Sequence, residues 1–172
     1  MFRNKSDILL TSLQRFFLHN KSQRIKQILP ILYGKSKVSL RVIDWFVTNF
    51  SKQKNTRLYD RKTGRHCIVY LDYKAQLKAF SKKQFDPFCR RNRIQFFYNT
   101  TEFIDTTIGQ LNFFRWALQR GLLKFLEDNL AMVENEMNVY YKRKTHIANR
   151  PTKLLASSAN KHRNVSIILT FE

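Results

Sequence analysis

An α+β fold, with helices packed on a small and mostly antiparallel sheet, is predicted by three features of the sequence. Segments with apolar residues three and four positions apart occupy most of the chain. Between them lie short runs rich in aromatic and β-branched residues, near 57–60, 65–72, 93–98 and 164–171, with the length and composition of strands. Hydrophobic residues make up 43% of the 172, and 15 are Phe, which supplies apolar surface for a core despite a formal net charge of +20.

Ser6 or Asp7 is placed to cap a first helix over 6–18, in which Ile8, Leu9, Leu13, Phe16 and Phe17 recur at helical spacing. A second set, Ile25, Ile28, Leu29 and Leu32, follows Ser22, and Pro30 kinks or ends that helix because it lacks a backbone donor. Residues 1–35 are expected to form an N-terminal helical arm, closed by Tyr33-Gly34-Lys35, and 36–172 a single α+β domain. Ser39 opens a helix over 39–52 with Leu40, Ile43, Phe46, Val47 and Phe50 on one face. The turn Asp60-Arg61-Lys62-Thr63-Gly64 joins the first two strands as a hairpin.

Helical spacing returns over 73–83 through Tyr73, Leu77 and Phe80, and it stops before Pro87, whose ring disfavours helical backbone at Asp86. Arg93 to Tyr98 reads as a third strand. Thr107 and Gln110 have capping-box spacing at the start of a helix over 107–120, and Gly121 suits its left-handed end. The apolar pattern from Leu122 through Leu126, Leu130, Val133 and Met137 predicts one further helix to about Tyr141, the longest of the set. Residues 142–163 are polar, basic and without period, which predicts a loop. The closing run Val165 to Phe171 is expected to return and pair with the earlier strands.

The charge is unevenly placed. Residues 1–100 hold 22 Lys and Arg against 5 Asp and Glu, 101–140 hold 3 against 6, and 141–172 hold 7 against 1. Such an excess repels itself in any compact state, so a polyanion is the expected partner and nucleic acid, DNA before RNA, the first candidate. The expected contact residues are Lys74, Lys78, Lys82 and Lys83, then Arg90, Arg91 and Arg93, then Arg61, Lys62 and Arg65 around the hairpin, then Lys142, Arg143 and Lys144. Lys74, Lys78 and Lys82 recur every four residues, so one helix face would carry all three along a phosphate backbone; lysines that merely face water have the same spacing. Phe80, Phe85, Phe88, Phe96, Phe97 and Tyr98 interleave with the basic residues and offer either core or stacking surfaces for single-stranded bases.

No catalytic constellation is evident, so a non-enzymatic protein without cofactor or metal is expected. The histidines His19, His66, His146 and His162 do not cluster, and His66-Cys67 with Cys89 matches no common zinc spacing. Asp72 and Asp86 would have to meet in a cleft to serve as nuclease-type metal carboxylates; a salt bridge and a turn before Pro87 explain them as well. Gly34-Lys35-Ser36 lacks the upstream glycine of a phosphate-binding loop. The apolar group Ile8-Leu9-Leu10 is flanked by charge and followed by no cleavage site, and no run of about 18 uncharged apolar residues exists to span a membrane. Two cysteines without a CxxC fit a cytosolic or nuclear compartment.

The segments SLRVIDWFVTNFSK (39–52), LDYKAQLKAFSKKQFDPFCRRNRIQF (71–96), TTIGQLNFFRWAL (106–118) and the closing SSANKHRNVSIILTFE resemble a group of small, basic, uncharacterised proteins encoded by nucleocytoplasmic large DNA viruses. Residues 1–35 fall outside the resemblance. It implies a viral setting, in the virion, the host cytoplasm with its viral factories, or the host nucleus, and it assigns no catalytic residue. In that setting a basic surface would serve genome packaging or late replication and transcription through sequence-independent binding of nucleic acid. The competing expectations are a virion scaffold protein that meets acidic protein or membrane surfaces and a metal-dependent nuclease.

Overall fold

The structure, a computed structural model, describes residues 4–60 and 64–148. The expected strand near 164–171, the loop beyond 148 and the turn residues Arg61 and Lys62 lie outside the described residues.

Helix α1 (Lys5–Leu32) is capped not by Ser6 or Asp7 but by Asn4, whose side-chain oxygen accepts from the Ser6 backbone N–H at 3.5 Å. The two expected helices are one element. The join is Ser22, whose φ of 60° lies in the left-handed region and whose hydroxyl donates to the Tyr98 carbonyl at 2.9 Å. Pro30 is accommodated in the last turn, and its carbonyl accepts from the N–H groups of Lys35 and Ser36 at 2.8 and 3.0 Å. Leu13, Phe17, Ile25 and Ile28 are fully buried, and α1 packs along the later helix α5. The N-terminal segment is thus part of the core rather than an arm beside it, because its apolar stripe has no other place to leave water.

Ser39 caps α2 (Leu40–Trp45), its hydroxyl accepting from the Val42 N–H at 3.3 Å. The helix widens into a π turn (Phe46–Phe50) before α3 (Ser51–Gln53). Strands β1 (Arg57–Asp60) and β2 (Arg65–Ile68) form one antiparallel ribbon, with Leu58 opposite Cys67. β2 stops where α4 (Val69–Gln84) begins, so residues 69–72, expected as strand, are the first turn of a helix that buries Val69 and Tyr73. β3 (Ile94–Phe97) pairs antiparallel with β4 (Phe103–Thr106), a strand not foreseen, in a second ribbon. The α+β class and the antiparallel pairing are as expected, but the described strands form two separate two-stranded ribbons.

Helix α5 (Ile108–Gln119) is buried nearly all round, with Leu111, Phe113, Phe114 and Ala117 fully enclosed and the polar Gln110 and Asn112 buried among them. Thr107 caps it as expected, its hydroxyl accepting from the Gln110 N–H at 3.0 Å. The Gln110 side chain does not close the capping box; it accepts from the Thr106 hydroxyl at 2.8 Å and donates to the Pro87 carbonyl at 2.9 Å. Gly121, at φ 66°, turns the chain into α6 (Leu122–Asp128). The single long helix expected here is broken at Asn129, whose amide donates to the Phe125 carbonyl at 2.9 Å, and α7 (Leu130–Ala148) follows. Residues 142–148, expected as loop, are therefore the last turns of α7. No helix among the described residues is long and apolar enough to cross a membrane.

Candidate nucleic-acid interface

Tyr73 anchors the inner side of α4 against Phe85 and Trp116, with ring centroids 5.9 and 6.1 Å away, and this turns Lys74 and Lys78 outward. Regular helix ends at Phe80, because Ser81 has φ 57° and ψ 168°. Lys82 therefore does not continue the straight stripe that four-residue spacing predicts. It nonetheless remains beside the other two lysines: Lys74, Ala75, Leu77, Lys78 and Lys82 line an open depression of about 580 Å³.

A second depression, of about 470 Å³, shares Leu77 and Lys82 with the first and adds Arg90 and Arg91 together with Asp44, Tyr73 and Asp86. The fold fixes its far wall from beneath. Asp86 N–H donates to the Gly109 carbonyl at 3.2 Å, Gln110 holds Pro87, and an added Cβ on Gly109 would lie 3.1 Å from the Lys83 carbonyl oxygen. Asp86, nearly buried, accepts from the Phe88 N–H at 3.1 Å and from Arg90 Nε and Nη2 at 3.0 and 2.9 Å. This pairing orients Arg90 over the Phe88 ring at 4.7 Å and raises its pKa further, so its charge is permanent.

Two ionisable groups of the second depression are both shifted upward. Burial pushes the Asp44 carboxyl above its ordinary 3.8, against the opposing pull of Arg90 and with a smaller push from Asp86. Burial, then the charges of Asp44 and Asp86, pushes the Tyr73 hydroxyl up to about 12, so it is a neutral donor at any physiological pH. An acid with a raised folded pKa holds its proton more tightly in the native chain, so stability falls as pH rises from the unfolded value through the folded one. Asp44→Asn is expected to be more stable than wild type at neutral pH, with the difference vanishing as the pH falls below 3.8. Urea midpoints measured across that range check it.

The other expected contact residues are dispersed. Lys83 and Arg93 are exposed and line neither depression, Arg65 is exposed on β2, and Lys142, Arg143 and Lys144 are exposed on α7. The α7 group has aromatic company, with Lys144 5.1 Å from the Tyr140 ring and Arg41 4.9 Å from that of Tyr141. Lys52, 5.6 Å from the Tyr70 ring, and Arg41 were not singled out in the sequence, since their aromatic partners lie on other helices. Of the interleaved aromatics, Phe85 and Phe96 are core, Phe80 and Phe88 are half-buried, and Phe97 is exposed.

Asp72 and Asp86 are engaged by different partners. Asp72 Oδ2 accepts from Arg120 Nε at 2.6 Å and from Trp116 Nε1 at 2.8 Å, whereas Asp86 serves Arg90. Among the described residues no three His, Cys, Asp or Glu side chains come together as metal ligands.

A family model described as a family of unknown function (DUF7197) matches residues 1–167. An uncharacterised protein, L507, of Acanthamoeba polyphaga mimivirus is 35% identical over 139 residues, which cover 76% of this chain and 53% of the relative. The chain thus spans about half the length of that curated relative. The relative comes from a large DNA virus, the setting that the resemblance implied. No solved structure matches. On a match that extends from its first residue to residue 167, the chain belongs to the family of unknown function DUF7197.

Proposed function

We propose that this protein binds nucleic acid without regard to sequence, through the face formed by the two adjoining depressions. The observation that carries the reading is the convergence of Lys74, Lys78, Lys82, Arg90 and Arg91 around a shared Leu77, on a chain with a net charge of +20. Lysine ammonium groups on a helix meet phosphates as point charges and read no base edges, so affinity without specificity is the expected behaviour. The viral relative makes genome packaging, or late replication and transcription in the virion or the host cytoplasm, the use we favour, with DNA the preferred polyanion. No catalytic step is part of the reading.

The test is the salt dependence of binding to a mixed-sequence DNA duplex, read by fluorescence anisotropy. Contact with about six to ten phosphates predicts that affinity falls by roughly three to five orders of magnitude between about 50 and 200 mM salt. The variant Lys74→Ala/Lys78→Ala/Lys82→Ala should bind more weakly and flatten the log–log slope by about 3, one phosphate being lost per lysine. Shuffling the DNA sequence should change nothing. Wild-type binding that is flat in salt, or a variant slope equal to the wild-type slope, would reject this face.

A further inference from the structure

Phe97 on β3 and Phe103 on β4 stand directly opposite each other, with ring centroids 5.2 Å apart and planes inclined at 46°. They are 52% and 40% exposed, respectively. The core does not need them, because the ribbon covers it with its other face: Phe96 and Ile104 point inward, and Phe96 meets the Phe17 ring of α1 at 6.1 Å. A cross-strand aromatic pair steadies a ribbon wherever it sits. Two large rings kept side by side in water also form an exposed apolar surface, and the residues around it limit what that surface suits.

Strand alternation places Gln95 on the same outer face as Phe97, and the exposed Arg93 immediately precedes the strand. Arg93 is four residues from Phe97, about 13 Å along an extended strand. The segment entering the ribbon carries Arg90 and Arg91, which already line the second depression. The acidic groups near the rings are Asp105, opposite Gln95, and Glu102, whose carbonyl accepts from the Tyr98 and Asn99 N–H groups in the turn. The cations gather at the entry end of the ribbon, so a bound polyanion approaches from that end, with Asp105 between it and the rings and Glu102 beyond them.

We propose that the Phe97–Phe103 pair is a stacking platform for the unpaired bases of a single-stranded nucleic acid, whose phosphates approach along Arg90, Arg91 and Arg93. The inference rests on the nucleic-acid reading above and narrows it. Duplex bases are stacked on one another and present only their edges and backbone, so the rings add nothing to duplex binding. Single-stranded bases present their faces, and every base has one, so the platform is indifferent to sequence.

The test compares a poly(dT) strand with a blunt duplex of mixed sequence, for wild type and for Phe97→Ala/Phe103→Ala. Affinity for the strand should fall roughly tenfold or more, while duplex affinity and both salt slopes stay as in wild type. Phe97→Leu/Phe103→Leu keeps an apolar cross-strand contact without aromatic faces, and it should lose the same strand affinity even if the alanine variant unfolds. Full strand affinity in the leucine variant, or equal losses on strand and duplex in a folded variant, overturns the platform and leaves the lysine face standing. A wild-type dimer that dissociates in the leucine variant with strand affinity unchanged makes the pair a contact between copies and overturns it too. Wild-type protein that binds neither probe removes both readings together.

Discussion

Phe85→Ala is expected to lower the unfolding free energy by about 3–5 kcal/mol. The ring is fully buried and meets the rings of Tyr73, Phe80, Phe113 and Trp116 at centroid distances of 5.9, 6.5, 5.3 and 5.6 Å. Relaxation into the vacated space is the usual way such a loss is softened, and here it is obstructed. The backbone at Phe85 already lies against Gly109, where a Cβ would come 3.4 Å from the Phe85 nitrogen, and Asp86 is tied to the Gly109 carbonyl. The cavity term is then paid nearly in full. Phe85→Leu, which keeps most of the volume, should cost less than half as much. Denaturant unfolding followed by tryptophan fluorescence measures both, and a loss below about 1 kcal/mol for the alanine variant would show that the segment repacks.

Asp72→Ala should cost about 2–4 kcal/mol. One carboxylate oxygen accepts from both the Trp116 indole N–H and Arg120 Nε, and the Asp72 and Arg120 side chains are only 16% and 25% exposed. Its removal leaves the indole N–H, on a residue 4% exposed, without its acceptor and removes one ion-pair contact from a largely covered guanidinium. The lower end of the range reflects the solvent that still reaches the pair. Trp116→Phe in the Asp72→Ala background separates the two contacts: if the orphaned indole donor dominates, the second substitution should recover part of the loss. A cycle in which the two losses simply add would place the cost on the arginine.

The elements legible in the sequence are those whose periodicity coincides with their burial. Thr107 and Gly121 bound α5 as their spacing predicts, and the apolar faces of α1 and α2 are the faces that pack, except for Ile8, which is exposed. β4 was invisible because its inward residues are Ile104 and Thr106, and the latter is buried through its bond to Gln110 rather than through hydrophobicity. The division between α6 and α7 rests on one asparagine side chain bonding a carbonyl, which leaves the apolar pattern unbroken across it. At the candidate interface the lysine spacing was readable, whereas the approach of Arg90 and Arg91 to Lys82 was not. It depends on Gln110 and Gly109 holding a loop more than 20 residues away in sequence. Phe103 went unnoticed for the same reason, since its neighbour is across a ribbon and not along the chain.

The left-handed residue at the end of α4 has a consequence for the shape of whatever lies on this face. Lysines four apart on a straight helix advance by about 6 Å along one line. Ser81 ends that line after Lys78, and Lys82 stands where the first depression meets the second. On the nucleic-acid reading proposed above, a backbone that tracks Lys74 and Lys78 passes this break before it reaches Lys82, Arg90 and Arg91. A single strand makes such a bend at little elastic expense, but a duplex, with a persistence length of about 150 base pairs, resists it. On that reading, a flexible chain follows the break at Ser81 more readily than a stiff rod does.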